Sequence, residues 1–215
     1  MTKIACIADT HGLHGGLEVP ECDILICAGD ITAGNSSKIF YVEDFAYWFS
    51  SQPAKHHVTI AGNHDWAFVE HNKEARAALE NVGIVYLQDQ KVELEGLLIY
   101  GSPWQPWFHD WAFNLQRGHE LRNKWALIPD NVNILVTHGP PFGILDVTNR
   151  MQGVGCEDLA RRIKRLGYLQ AHIFGHIHEG YGRYSLEDEG QVVYVNASTC
   201  DDYYSPCNPP IVIEV

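Results

Sequence analysis

Five stretches of this 215-residue chain each end an apolar, strand-like run with His, Asp or Asn. They are Ile4-Ala-Cys-Ile-Ala-Asp9-Thr-His11, Ile24-Leu-Ile-Cys-Ala-Gly-Asp30, Val58-Thr-Ile-Ala-Gly-Asn63-His64-Asp65, Ile134-Leu-Val-Thr-His138 and His172-Ile-Phe-Gly-His176-Ile-His178. A core strand does not need an imidazole or carboxylate just past its last apolar residue, where desolvating a polar group is costly. Five such endings, with oxygen and imidazole donors and no thiolate, point to one site assembled from the whole length of the chain.

The runs at 4–8, 24–28, 58–61, 134–137 and 171–174 are short, β-branched or Ile-rich, and unbroken by polar alternation. Strands buried on both faces of a layered α/β fold read this way. Helices are expected at Ser37 to Ser50 (Ser36 or Ser37 as N-cap), Asn72 to Glu80 (stopped by Gly83), Gly118 to Ala126, and Glu157 to Leu166. Later segments, Lys91–Leu94, Leu97–Gly101, Tyr181–Leu186, Gln191–Asn196 and Ile211–Val215, read as further strands, two pairs of them forming hairpins. The expected fold is a four-layer α/β/β/α sandwich: two mixed sheets flanked by helices. The length suits a single domain over 1–215.

Composition narrows the function classes. Asp and Glu number 27 against 15 Lys and Arg, a formal charge of −12, which disfavours an extended nucleic-acid footprint. No apolar run approaches the roughly 20 residues of a membrane helix. Residues Met1 to Lys3 run directly into a strand, with no room there for a signal peptide. Cys6 and Cys27 sit within apolar runs, no C-x-x-C pair occurs, and Cys200 and Cys207 flank a possible turn. A reduced, cytoplasmic protein is expected.

The candidate ligands are Asp9, His11, Asp30, Asn63, His138, His176 and His178. Asp9 and His11 are two apart, so on an extended segment both point to one side, and His176 and His178 repeat the spacing. Gly29 and Gly62 precede Asp30 and Asn63, allowing sharp turns and close backbone approach. Seven ligands exceed what one ion uses. With one carboxylate shared, two divalent ions would each have four protein ligands, an arrangement suited to phosphoester hydrolysis. Mn is the expected metal; Fe, Zn, Co and Ni suit the same donors.

Asp-x-His, Gly-Asp, Gly-Asn-His-Asp, Thr-His-Gly and Gly-His-x-His, in this order, resemble the calcineurin-like metallophosphoesterase superfamily over residues 3 to 199. The resemblance implies one metal on Asp9, His11, Asp30 and His178, and a second on Asp30, Asn63, His138 and His176. It implies that His64 stands beside the phosphate without ligating, and that Asp65 orients it. Gly101-Ser-Pro-Trp-Gln-Pro-Trp107, Trp111 to Leu115 with Arg117-Gly118, His138-Gly-Pro-Pro141 and Gly175 to Gly182 are similar to the metallophosphoesterase-domain-containing branch. That branch is akin to the class III cyclic-nucleotide phosphodiesterases. The implied reaction is hydrolysis of a small phosphoester, a phosphodiester such as a cyclic nucleotide foremost, with His64 as general acid. Alternatives are a phosphomonoesterase and a nucleotide-binding scaffold. The Gly-Asp-x-x-Asp extension of protein Ser/Thr phosphatases is absent, because Asp30 leads into Ile-Thr-Ala-Gly.

Four residues are weaker candidates for substrate contact. His14 lies in the Gly12-Leu-His-Gly-Gly16 loop behind His11. Trp107 and His109 belong to the aromatic stretch 104–113, which is either loop core or a stacking wall. Arg150, beside Asn149, lies in the long loop after His138. His56, His57, His71, His119 and His172 read as surface or strand-edge residues, and Asp201-Asp202 as a solvated turn.

Overall fold

The computed structural model describes residues 1–185 and 192–215. In chain order it contains β1 (Lys3–Ile7), β2 (Cys22–Cys27), α1 (Ile39–Ser50), β3 (Ala54–Thr59), α2 (Ala67–Glu70), α3 (Asn72–Glu80) and β4 (Val85–Tyr86). Then follow β5 (Gln90–Leu94), β6 (Leu97–Ser102), β7 (Gln105–Pro106), β8 (Asn114–Leu115), α4 (His119–Trp125), β9 (Ile134–Thr137) and α5 (Glu157–Ile163). The last elements are β10 (Ala171–Phe174), β11 (Gly182–Ser185), β12 (Val193–Asn196) and β13 (Ile211–Glu214).

Two large sheets form. The first has the order β13-β1-β2-β3-β4 and the second β11-β12-β10-β9-β6-β5. In each, four neighbouring strands are parallel and antiparallel strands lie at the edge: β13 against β1, β11 against β12, and β5 against β6. Side-chain alternation divides the core into three layers. Ile4, Cys6, Ile24, Ile26, Ile134, Val136 and Ile173 point between the sheets. Ala5, Ile7, Leu25 and Cys27 face α1 and its aromatic row Phe45 and Phe49. Leu135 and Phe174 face Leu121 and Trp125 of α4 and Leu159 and Ile163 of α5. This is the expected four-layer α/β/β/α sandwich, and it explains the unbroken apolar runs: both faces of each central strand are covered.

Several local expectations change. Helix α1 begins at Ile39 with Lys38 in the cap position and no side-chain cap, while Ser36 Oγ accepts from the Lys38 amide. Gly83, at φ 83°, ends α3 as expected. The β5–β6 hairpin forms, and β11 pairs with β12. The expected strand ends Leu186 and Gln191, and the residues between them, lie outside the described residues. His172 is neither at the surface nor at an edge. It lies within β10, fully buried, its Nε2 2.8 Å from Thr137 Oγ1 on β9. All six cysteines are free.

Candidate active site

Each candidate ligand follows the carboxyl end of a parallel strand, where ligands gather in α/β sheets. β1 leads to Asp9 and His11, β2 to Asp30, β3 to Asn63 and His64, β9 to His138, and β10 to His176 and His178. The extended geometry expected for Asp-x-His is not what forms. Asp9, His11, Asp30 and His176 have φ of 51°, 45°, 53° and 69°, in the left-handed region. Such conformations cost about 1–3 kcal/mol each in non-glycine residues and concentrate at functional sites. Loop-to-loop hydrogen bonds hold them: Asp9 N to Gly29 O (2.9 Å), His11 N to Asp30 O (3.0 Å) and Gly175 N to His138 O (2.9 Å). Close approach accounts for two glycines. A β-carbon on Gly62 would strike the Asp30 carboxylate, and one on Gly175 the Asp9 carboxylate.

Asp30 is central. Its Oδ2 lies 3.3 Å from His138 Nε2, 3.9 Å from His64 Nε2 and 4.0 Å from His11 Nε2. Its Oδ1 accepts from the His64 amide at 2.7 Å. Asp9 Oδ2 accepts from Ser198 Oγ (2.6 Å) and the His176 amide (2.9 Å). That leaves Asp9 Oδ1 buried without a hydrogen-bond partner, 3.8 Å from His178 Nε2. His11 and His178 bring their Nε2 atoms within 3.3 Å, and Asn63 Oδ1 lies 2.8 Å from His138 Nε2. The rings of His138 and His176 are 5.0 Å apart. Three triads, Asp9-His11-His178, His11-Asp30-His64 and Asp9-Asp30-His138, each offer ligand atoms within 4.8 Å of one another.

Outer contacts set the tautomers. The Nδ1 of His138 faces the Ala28 carbonyl at 2.9 Å and that of His178 faces the Asp201 carbonyl at 2.7 Å. A carbonyl only accepts, so each Nδ1 carries the proton and each Nε2 is turned inward for ligation. Burial lowers His11 to about 4 and His176 to about 3, keeping both rings neutral with a lone pair to give. At His138 burial also acts downward, but the Asp30 and Asp9 carboxylates outweigh it and lift the ring to about 9. Asp30 itself is held well below the carboxylate range: burial would raise it, and the His138, His64 and His11 rings outweigh that. An orphaned carboxylate oxygen and inward-facing oxygen and nitrogen donors, most of them buried, fit divalent cations.

His64 joins this cluster from the side. Its ring centroid is 4.8 Å from that of His11 and 4.8 Å from that of Trp111. Asp65 departs from its expected contact. Its carboxylate accepts from the Gly62 amide (2.8 Å), the Ile31 and Thr32 amides (3.2 and 3.0 Å) and Thr32 Oγ1 (2.9 Å). The His64 Nδ1 has no hydrogen-bond partner. Asp65 therefore ties the Asp30 loop to the Asn63 loop, and it positions the His64 backbone without gripping the ring.

A cleft of about 360 Å³ opens over the cluster, floored by Asp30, Asn63, His64, His176 and His178. Its walls include Trp107, Phe108, Trp111 and Tyr204, with Arg117, Asn149, Glu179 and Asp202. The aromatic stretch is thus split: Trp104 and Phe113 pack into the core, while Trp107, Phe108 and Trp111 face the cleft. Of the weaker candidates only Trp107 lines it. His109 packs behind on Phe108, with ring centroids 4.4 Å apart, and Arg150 is not among the lining residues. His14 is buried beneath α1 against Phe45 and Trp48, its Nε2 3.3 Å from Asp44, because the loop folds away from the site.

Sequence reasoning missed Ser198, which fixes Asp9, and Tyr204, whose ring lies 4.8 Å from His11 and 5.3 Å from His178. It also missed the Asp201–Asp202 turn, which supplies the His178 carbonyl partner and a cleft residue. Arg117 was visible only as part of a motif. It donates to Val154 O (2.7 Å) and Gly155 O (2.8 Å) and pairs with Glu157.

Comparison with known proteins gives the family. Residues 2–180 match the model of the calcineurin-like phosphoesterase family. The chain is 43% identical to human metallophosphoesterase domain-containing protein 1, over all of this chain and 71% of that one. It is 32% identical to the Caenorhabditis elegans UPF0046 protein T07D4.2, over 99% of this chain and 60% of that one. Among solved structures, a dimetal phosphatase from Danio rerio shares the fold at 10% identity, with a TM-score of 0.56 over 98% of this chain and 91% of that one. An archaeal phosphodiesterase does so at 15% identity, with a TM-score of 0.54 over 99% and 93%. The chain belongs to the calcineurin-like phosphoesterase family, whose chemistry is metal-dependent hydrolysis of phosphoesters.

Proposed function

We propose that this protein is a phosphodiesterase acting on small diesters, cyclic nucleotides among them, with two divalent ions, Mn2+ foremost. Asp9, His11, Asp30 and His178 would hold one ion, and Asp30, Asn63, His138 and His176 the other. When bound, the ions acidify water for attack on phosphorus and offset charge on the phosphoryl oxygens.

The protein's own groups then divide the remaining work. Asp30 accepts from the His64 amide at 2.7 Å, which ties the carboxylate to the His64 backbone. The His64 ring, pressed between His11 and Trp111, is placed to donate a proton from Nε2 to the departing alkoxide. Ser198 and the His176 amide fix the Asp9 carboxylate, while the Gly29 carbonyl accepts from the Asp9 amide. Trp107, Phe108, Trp111 and Tyr204 exclude water and offer flat faces to an organic arm of the substrate.

The observation that carries the diester reading is the balance of the cleft wall. Among the described residues its one arginine, Arg117, is engaged by Glu157 and two carbonyls, and its other charges outside the floor are Glu179 and Asp202. A dianionic monoester would meet a net acidic wall, whereas a monoanionic diester presents less charge and more organic surface to the aromatics. Six free cysteines support a reducing, cytoplasmic setting, and no helix among the described residues is long and apolar enough to cross a membrane. Turnover of bis-(p-nitrophenyl) phosphate and p-nitrophenyl phosphate with Mn2+ tests the reading. A higher kcat/KM for the diester is expected; faster monoester turnover would make the protein a phosphomonoesterase.

A further inference from the structure

The chain has eight arginines, and four of them, Arg122, Arg161, Arg162 and Arg165, line one groove. The groove has a volume of about 780 Å³, lies between α4, the 126–130 loop and α5, and shares no residue with the catalytic cleft. Among the described residues its carboxylates are Asp130 and Asp158, which with the four arginines give a net charge of +2 on a chain whose formal charge is −12. Its remaining lining is Trp125, Ala126, Leu127, Ile128 and Pro129, with Leu127 exposed along one side.

The arginines are only partly engaged. Buried Asp158 holds Arg161 at 2.9 Å and Arg122 at 3.8 Å while also accepting from the Gly118 amide at 2.9 Å. Both arginines stay largely exposed, at 68% and 62%. Arg162 is anchored through one terminal nitrogen to the Ile128 carbonyl and to Asp130, and its buried Nε–H has no partner. Arg165 makes no ion pair among the described residues. Helix polarity accounts for cations in the last turn of α5. It accounts equally for Arg122 in the last turn of α4, but not for Arg165, which lies beyond α5, or for the hollow that the four arginines line.

We propose that this groove binds an oligophosphate, a ligand with two or more phosphate groups. Guanidinium forks match phosphate oxygens bidentately, whereas a lysine would supply only a point charge. The hollow is too large for a single phosphate, and the four arginines line it from α4, α5 and the turn after α5. In an otherwise acidic molecule this groove is a local attractor for polyanions.

Sodium tripolyphosphate is the probe, and amide hydrogen exchange of the full protein locates it. Slower exchange is expected across 122–130 and 158–165, and sodium chloride at matched ionic strength should not reproduce it. The double variant Arg161→Ala/Arg165→Ala, altered at exposed positions, should raise the Kd for this protection roughly tenfold or more. Its turnover of bis-(p-nitrophenyl) phosphate should equal wild type, which separates this groove from the cleft. Unchanged exchange in both segments, protection reproduced by sodium chloride, or protection undiminished in the variant would each overturn the proposal.

Discussion

At the scale of single residues, the proposed site separates holding ions from turning over substrate. Asp9, Asp30 and His138 are buried and their oxygens and Nε2 atoms converge, while His64 reaches the same carboxylate from the cleft side. Replacing His64 with Ala removes a ring but none of the proposed ligands. The variant is expected to keep its metal content, read by elemental analysis, and to lose about 10²–10⁴-fold in kcat, the usual contribution of a general acid. An unchanged kcat would remove His64 from this role. The proposed ligands were legible because each is a polar residue placed where an apolar run ends. Asp65 was misassigned because its four donors come from the Gly62, Ile31 and Thr32 positions. Backbone amides leave no mark in residue types. Ser198 and Tyr204 were hidden for a related reason, since a Ser and a Tyr in a C-terminal loop look like ordinary surface residues.

At the scale of elements, the central strands and the four longer helices follow from apolar runs and turn residues, whereas two-residue strands such as β4, β7 and β8 carry too little pattern to be seen. His172 shows what a single strand conceals. Its partner is on β9, and only the pairing of β10 with β9 brings the two side chains together. Thr137 Oγ1 donates to the Gly139 carbonyl at 2.7 Å, so it accepts from His172 Nε2–H, and Nδ1 is left buried without a partner. Burial lowers this histidine to about 3, so the folded state refuses a proton that the unfolded chain takes up near the ordinary value of 6.5. The contribution of His172 is therefore fully present above about pH 6.5 and is lost as pH falls toward 3, by about 1.4 kcal/mol per pH unit. His172→Gln keeps a donor for Thr137 but cannot titrate. Urea unfolding at pH 7, 6 and 5 should show the wild type losing its advantage over the variant on acidification; parallel profiles would contradict this.

At the scale of the whole molecule, the two sheets matter because of where their strands end. β1, β2 and β3 of one sheet and β9 and β10 of the other deliver their carboxyl ends to the same rim, so residues as far apart as Asp9 and His178 meet. The layered class was readable from the buried strands, but the left-handed backbone at Asp9, His11, Asp30 and His176 was not. It arises from hydrogen bonds between loops that only the finished sandwich brings together. Shared use of Asp30 is the central claim, and metal stoichiometry tests it most directly. Elemental analysis of wild-type protein loaded with Mn2+ and of Asp30→Ala should give about two ions per chain and fewer than one, respectively, because the substitution removes a ligand from both. One ion or none in the wild type, or two retained in Asp30→Ala, would contradict a dinuclear site bridged by Asp30.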